Sequence, residues 1–72
     1  MITITVNGRP VDVPEPLPLS SYLAELGVEP RSVAVELNGR ILERHEFESA
    51  ELNAGDVVEI VRMVGGGAGR RR

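Results

Sequence analysis

The sequence predicts a small α+β domain in which one helix packs across one face of a β-sheet. Three segments alternate apolar with polar residues, the period of two that is typical of half-buried strands, and a fourth near the end is rich in β-branched residues. Between the second and third segments the apolar residues adopt a helical spacing instead. Because 72 residues form only one hydrophobic core, these elements must share it, in the order β-β-α-β-(short β)-β.

The first fourteen residues have the pattern of a β-hairpin. Asn7 and Gly8 separate two alternating runs and are a strong signal for a two-residue turn. Pro10 and Pro14 lie at the ends of the second run, which suits an edge strand because proline cannot donate a hydrogen bond to a neighbouring strand. The residues predicted to face the core are Ile2, Ile4, Val6, Val11 and Val13.

The next segment has the period of a helix about three turns long, which needs the sheet beneath it to be stable. Pro18 is predicted at the first helical position, where its missing N–H is no loss. Gly27 suits the left-handed residue just past the helix end, and Pro30 prevents continuation. The residues on the apolar face are Leu19, Tyr22, Leu23 and Leu26.

The second half returns to the strand period. The segment 33–37 is predicted to turn Val33, Val35 and Leu37 to one side, and Asn38-Gly39 predicts a second turn before a short strand at 40–42. The polar stretch 43–52 is predicted to be a loop or short helical turn anchored by Phe47 and Leu52. A turn at 54–56 then leads into the last strand.

The last strand is apolar on both faces. Val58 and Ile60 are predicted to join the core, and the opposite parity carries Val57, Val61 and Met63. We expect these three to form an exposed patch that docks a partner, the alternative being that loops cover them. The predicted core consists of Ile4, Val6, Leu23, Leu26, Val35, Val58 and Ile60.

The charge is unevenly distributed. All eight basic residues are arginines, and three of them stand at positions 70–72. The rest of the chain holds five arginines against eleven carboxylates, a net charge of −6. An acidic body disfavours nucleic acid and suits a partner with a basic face, although the excess could serve solubility alone.

The composition offers no catalytic or metal site. There is no cysteine, and the one histidine, His45, stands among the glutamates 43, 46, 48 and 51, which we interpret as a solvated surface. Tyr22 is interpreted as a core residue of the helix. No apolar run is long enough for a membrane span and the N-terminus has no signal-peptide pattern, so we expect a cytoplasmic protein that binds neither membranes nor nucleic acid.

The tail begins with three glycines, Gly65, Gly66 and Gly67, and continues with Ala68-Gly-Arg-Arg-Arg. Glycine offers no side chain to pack and loses the most backbone entropy on ordering. We therefore predict a folded domain over residues 1–64 and a flexible glycine tail with a basic extension over 65–72. A frayed, functionless terminus is the alternative.

Together these stretches resemble the ubiquitin-like sulfur carriers, the ThiS family first and the related molybdopterin carriers of the MoaD type next. The resemblance covers residues 1–67 and is carried by ITVNGRPVDVP, LAELGV, VAVELNGRILER and LNAGDVVEIVRMVGGG. It implies a ubiquitin-like β-grasp fold: a mixed sheet of four to five strands, with the first and last strands adjacent and parallel and one helix across one face.

The resemblance also implies a function. A ubiquitin-activating-type adenylyltransferase would use ATP to adenylate the glycine carboxylate, and sulfur from a persulfide donor would replace AMP to leave a thiocarboxylate. A thiazole synthase would then take that sulfur for thiamine. The carrier would be neither an enzyme nor the holder of a cofactor. The modified residue would be Gly67, or Gly66 if processing occurs one residue earlier, with Gly65 and Gly66 threading into the partner's site.

The chain departs from this family in the five residues after Gly67. They are either a pro-segment that a protease removes or an artefact of the gene boundary, and we favour the pro-segment because the stretch does not resemble a purification tag. Two other functions stay open. The chain could carry sulfur for another pathway, such as molybdopterin, amino-acid or secondary-metabolite synthesis, or be a non-catalytic β-grasp interaction module with an inert tail.

Overall fold

The computed structural model describes residues 1–63. It contains one α-helix, seven strands and two short 3₁₀ turns, at Pro30–Ser32 and Arg44–Glu46. The helix α1 spans Leu19–Leu26. The strands are β1 Ile2–Val6, β2 Arg9–Val13, β3 Leu17–Pro18, β4 Val33–Leu37, β5 Arg40–Leu42, β6 Glu51–Leu52 and β7 Val57–Arg62.

The main sheet has five strands in the order β2-β1-β7-β4-β5. β1 and β7 are parallel and adjacent, with Thr5 opposite Val57 and Val6 opposite Val58, and all other neighbours are antiparallel. The mixed sheet and the parallel pairing of first and last strands are therefore confirmed. A second, two-stranded sheet pairs β3 with β6, which the sequence did not predict because each strand has only two residues.

Both predicted Asn-Gly turns are present. Asn7 and Gly8 have φ of 51° and 82°, and Asn38 and Gly39 have 52° and 85°. Two consecutive positive φ values match the right-handed twist of the flanking strands, and asparagine and glycine tolerate this conformation best. The two turns close the β1–β2 and β4–β5 hairpins.

The helix differs from the prediction in its first residue and in the burial of Leu26. Pro18 is not the first helical residue: its backbone is extended and pairs within β3 opposite Glu51, so the helix begins one residue later. Leu26 was predicted to be buried, which is wrong, since it is 48% exposed. Gly27 ends the helix in the left-handed conformation, as predicted. The N–H of Val28 then donates to the Leu23 carbonyl, and Val28, rather than Leu26, packs against this end of the core.

The start of the helix is stabilised by the loop between β5 and β6 rather than by a side-chain cap. The backbone N–H of Leu19 donates to the Ala50 carbonyl at 2.8 Å, and that of Ser20 donates to the Phe47 carbonyl at 2.9 Å. These bonds satisfy amides that every helix start leaves without an intrahelical partner. The predicted loop with its anchor residues Phe47 and Leu52 is confirmed, since both side chains are buried.

The core lies between the helix and one face of the main sheet. Its buried residues are Ile4, Val13, Leu19, Tyr22, Leu23, Val33, Val35, Leu42, Phe47, Leu52 and Val58. Of the other predicted core residues, Val6 and Ile60 are only partly buried and pack against its margin. Within residues 1–63, no helix is long and apolar enough to cross a membrane.

Two leucines of the helix provide a matched test of this packing. Leu23→Ala removes a fully buried side chain and should lower the free energy of unfolding by about 2–5 kcal/mol, because the cavity cost adds to the lost burial. Leu26→Ala removes a half-exposed side chain one turn later and should cost far less. Urea denaturation of both variants measures the difference. Equal destabilisation would contradict the described helix face.

Candidate partner-binding face

The sheet face opposite α1 carries a cluster of exposed apolar side chains. As predicted, Val57, Val61 and Met63 are exposed, by 43%, 59% and 51%, and none of the loops within residues 1–63 covers them. Ile41 on β5 joins them and is 71% exposed. We call these four residues the outer patch. Large apolar side chains that a small domain leaves exposed on one face commonly mark a binding site.

Strand register explains why these residues share a face. On the antiparallel β4–β7 pair, Ala34 lies opposite Val61 and Glu36 opposite Glu59, and on the β4–β5 pair Ile41 lies opposite Glu36. Successive side chains of a strand point to opposite faces, so these five residues all point away from the helix. They line a shallow groove of about 350 Å³, together with the backbone of β4.

Ile41 is the one residue of the outer patch that the sequence analysis did not identify. Its strand is only three residues long, and Ile41 stands between an arginine and the buried Leu42. Three residues are too few for a period of two to assign inward and outward positions. The pairing of Leu37 with Arg40 and of Val35 with Leu42 settles the parity.

The charges of the sheet are sorted by face. Asp12, Glu36 and Glu59 lie on the outer face, whereas the three arginines of the strands pair opposite helix-facing residues: Arg9 with Val6, Arg40 with Leu37 and Arg62 with Val33. Neither Glu36 nor Glu59 forms an ion pair with any residue in the described range 1–63. Two carboxylates directly opposite each other on neighbouring strands repel, so this arrangement costs stability.

Two turn asparagines hold β7 in position. The Asn7 side chain accepts a hydrogen bond from the Ile60 N–H at 2.7 Å and donates to the Ile60 carbonyl at 3.2 Å. Asn38 Oδ1 accepts the Val57 N–H at 2.9 Å, and its Nδ2 donates to Asp56. Asn7 thereby continues the pairing along β7 after β1 has turned away. Beyond β7, the Met63 N–H donates to the Ser32 carbonyl at 2.9 Å, which fixes where the chain leaves the sheet.

The histidine and its neighbouring glutamates do not form a site. His45 Nε2 lies 3.9 Å from a Glu43 carboxylate oxygen, and both side chains are largely exposed. The pKa of the Glu46 carboxyl is lowered, first by a hydrogen bond from the Glu43 backbone N–H and then by a hydrogen bond from the Arg40 side chain. Both contacts favour the ionised form of this carboxyl. Among residues 1–63 no three potential ligands are grouped to hold a metal ion.

Tyr22 occupies the place that the sequence predicted for it. The ring is buried in the core, with 6% of the residue exposed. Burial, and then the negative charge of Glu25, raise the pKa of the Tyr22 hydroxyl. The phenol therefore stays protonated at neutral pH and has a structural role.

The predicted residues of the tail lie outside the described range. This applies to Gly65, Gly66 and Gly67, to the extension 68–72, and to the proposed domain boundary after residue 64. The last described residue is Met63, a member of the outer patch, whose N–H donates to the Ser32 carbonyl.

Comparison with known proteins supports a single family. Residues 4–67 match the ThiS family. The sulfur carrier protein ThiS of Thermus thermophilus is 39% identical over 64 residues, which are 89% of this chain and 98% of that protein. A thiazole synthase of Paramagnetospirillum magneticum is 35% identical over 65 residues, 90% of this chain but only 20% of that protein.

A solved structure confirms the fold. The crystal structure of the thiamine biosynthesis protein ThiS from Geobacter metallireducens superposes with a TM-score of 0.80 at 40% sequence identity. The match covers 92% of this chain and all of that one. The fold is thus the ubiquitin-like β-grasp that the sequence predicted, and the chain belongs to the ThiS family of sulfur carriers in thiamine biosynthesis.

Proposed function

We propose that this sulfur carrier holds its sulfur as a thiocarboxylate on Gly67. The observation that carries the proposal is the order of three features along the chain: β7 presents Val57 and Val61 of the outer patch, the backbone is held at Met63 just beyond β7, and the three glycines follow after Val64. The family match ends at Gly67, which supports this residue, rather than a later one, as the reactive terminus.

The chemistry explains the need for an activating partner. A carboxylate resists substitution until one oxygen becomes part of a good leaving group, and attack on the α-phosphate of ATP achieves this by forming an acyl adenylate and releasing pyrophosphate. The outer sulfur of a persulfide then attacks the acyl carbon and displaces AMP. A thiol cleaves the resulting acyl disulfide, and the thiocarboxylate remains on the glycine.

The carrier contributes delivery to this reaction. From Val64 to Gly67 the extended chain reaches about 10 Å, enough for the glycines to enter a nucleotide site while the folded body stays outside. Glycine lets the backbone approach closely because it has no side chain. Catalytic groups would come from the partners, in keeping with the solvated surface around His45.

Two partners follow from this proposal. The adenylyltransferase would dock on the outer patch, with Val57, Val61 and Met63 as its apolar contacts and Glu36 and Glu59 facing its basic groups. A thiazole synthase would receive the sulfur. In support of the second, a relative named as a thiazole synthase contains a segment similar to this chain within a much longer protein.

Activation requires that Gly67 end the chain. In the longer form its carbonyl carbon lies in the peptide bond to Ala68, so there is no carboxylate to adenylate. We propose that a protease removes residues 68–72 first. Incubation with the adenylyltransferase, ATP and a persulfide donor should convert a chain ending at Gly67, seen by intact mass as the exchange of one oxygen for sulfur.

The 72-residue chain should stay unmodified under the same conditions, and a chain ending at Gly66 tests processing one residue earlier. A thiocarboxylate on the 72-residue chain with residues 68–72 still attached would refute Gly67 as the reactive residue. No thiocarboxylate on either shorter chain would refute the carrier chemistry proposed here.

The docking surface is tested by a pair of apolar-to-acid changes at similarly exposed positions. Val61→Asp places a charge inside the outer patch and should weaken the complex with the adenylyltransferase at least tenfold, about 1.4 kcal/mol of binding free energy. Leu26→Asp places the same charge on the helix side and should leave affinity unchanged. Isothermal titration measures both, with circular dichroism as the check on folding. Equal affinities for the two variants would place the docking surface elsewhere.

A substitution in the Glu36–Glu59 pair tests whether the acidic residues promote partner binding or only solubility. Glu59→Gln removes the cross-strand repulsion, so stability should rise by roughly 0.2–1 kcal/mol while association with a basic partner slows. Glu25→Gln makes the same charge change on the helix and should alter neither. Stopped-flow association at increasing salt measures the rates. If the on-rate is independent of both salt and Glu59, the acidic excess serves solubility only.

A further inference from the structure

A shallow groove lies at the end of α1, on the sheet face opposite the outer patch. Its volume is about 290 Å³, and it is formed by the end of the helix together with the adjacent strands β1, β7 and β4. Only one of the residues that line it, Arg62, is charged. The apolar residues that line it are Val6, Leu26, Val28, Val33 and Ile60.

The groove contains all three residues that the sequence assigns to the core and the structure leaves incompletely buried. Leu26 is 48% exposed, and Val6 and Ile60 are only partly buried. The cause is the length of the helix. With eight residues α1 is about 12 Å long, whereas the six residues of β7 extend over about 20 Å. The helix therefore ends before it covers this margin of the sheet.

Two arginines lie on this side of the sheet. Arg62 pairs opposite Val33, and Arg9 pairs opposite Val6 on the edge strand β2. Neither arginine forms an ion pair with any residue in the range 1–63, and no carboxylate is among the residues that line the groove. Because residues 1–69 carry a net charge of −6, the groove is a local positive site on an acidic domain.

We propose that this groove binds a segment of a partner protein in which apolar side chains are flanked by carboxylates. The apolar side chains cover Leu26 and Ile60, and the carboxylates pair with Arg62 and Arg9. Arginine suits this role because its planar guanidinium group binds a carboxylate through two parallel hydrogen bonds. The inference is independent of the proposed thiocarboxylate, since no step of that chemistry uses this side of the sheet.

The size and polarity of the groove favour a peptide over a small molecule. Its volume lies at the lower limit of the roughly 300–1,000 Å³ of ligand pockets. The Asn7 side chain, which also lines it, is already hydrogen-bonded to the backbone N–H and carbonyl of Ile60. Recognition therefore rests on apolar contact and on the arginines, as where an interface anchor enters a pocket within a polar rim.

The two faces of the sheet consequently select partners of opposite charge. Glu36 and Glu59 accompany the outer patch, which suits a basic surface, whereas the groove suits an acidic segment. The sheet itself lies between the two sites. A protein bound in the groove therefore leaves the outer patch accessible to another partner.

The test is a titration of the ¹⁵N-labelled 72-residue chain with the acetylated and amidated hexapeptide DELLDE. We expect the backbone amide signals of Leu26, Ile60 and Arg62 to shift until the site is saturated, and that of Val61 on the outer patch to stay in place. Two control peptides separate the contributions, because DESSDE lacks the apolar side chains and QNLLNQ lacks the charges. Each should bind at least about threefold more weakly than DELLDE.

Matched variants identify the residues. Leu26→Ala should weaken binding of DELLDE about three- to tenfold, because it removes apolar surface that the peptide covers. Arg62→Gln should weaken it about two- to fivefold and reduce its salt dependence. Val61→Ala and Arg44→Gln make the corresponding changes elsewhere on the surface and should leave the affinity unchanged. All four side chains are exposed, so the variants should fold, which circular dichroism checks.

Three outcomes would overturn the proposal. In the first, DELLDE shifts only signals of residues 64–72, which would mean that it binds the arginines at 70–72. In the second, it shifts the outer patch instead of the groove. In the third, neither Leu26→Ala nor Arg62→Gln changes its affinity. The titration involves no sulfur transfer, so failure of this site is distinguishable from failure of the carrier function.

Discussion

The fold depends on the pairing of β7 with strands from both halves of the chain. β7 lies in the middle of the five-stranded sheet, parallel to β1 on one side and antiparallel to β4 on the other. Without it, the sheet separates into two hairpins, and an isolated hairpin is at best marginally stable in water. Asn7 adds a side-chain bridge to Ile60 where β1 ends. β7 is therefore the strand whose loss the fold can least tolerate.

The two faces of β7 lie in different surroundings. Val58 is fully buried against the helix, whereas Val57 and Val61 are exposed on the other side. An exposed apolar surface beside two repelling carboxylates stabilises nothing in the free domain. A domain of this size has little stability to lose, and it tolerates this face because eleven buried side chains and the turn asparagines support the sheet from the other side and from its ends.

The helix is coupled to the rest of the domain through backbone groups. Its first amides donate to carbonyls of the 43–52 loop, and its last turn closes through Gly27 and Val28. At the end of the described structure, the Met63 N–H donates to the Ser32 carbonyl and fixes where the chain leaves the sheet.

Local sequence patterns determined the strands, the two Asn-Gly turns, the end of the helix and the outward position of Val57, Val61 and Met63. These features depend on the period of side chains and on the φ preferences of single residues, which a sequence shows directly. Only the tertiary structure decided that Leu26 is exposed, that Pro18 belongs to a strand, that Ile41 joins the outer patch and that Glu36 faces Glu59. The positions of Pro18, Ile41 and Glu36 depend on which strands pair and in what register, and a shift of one residue in register reverses the face that every side chain of a strand occupies. The exposure of Leu26 depends on how the end of the helix packs, where Val28 contacts the core instead.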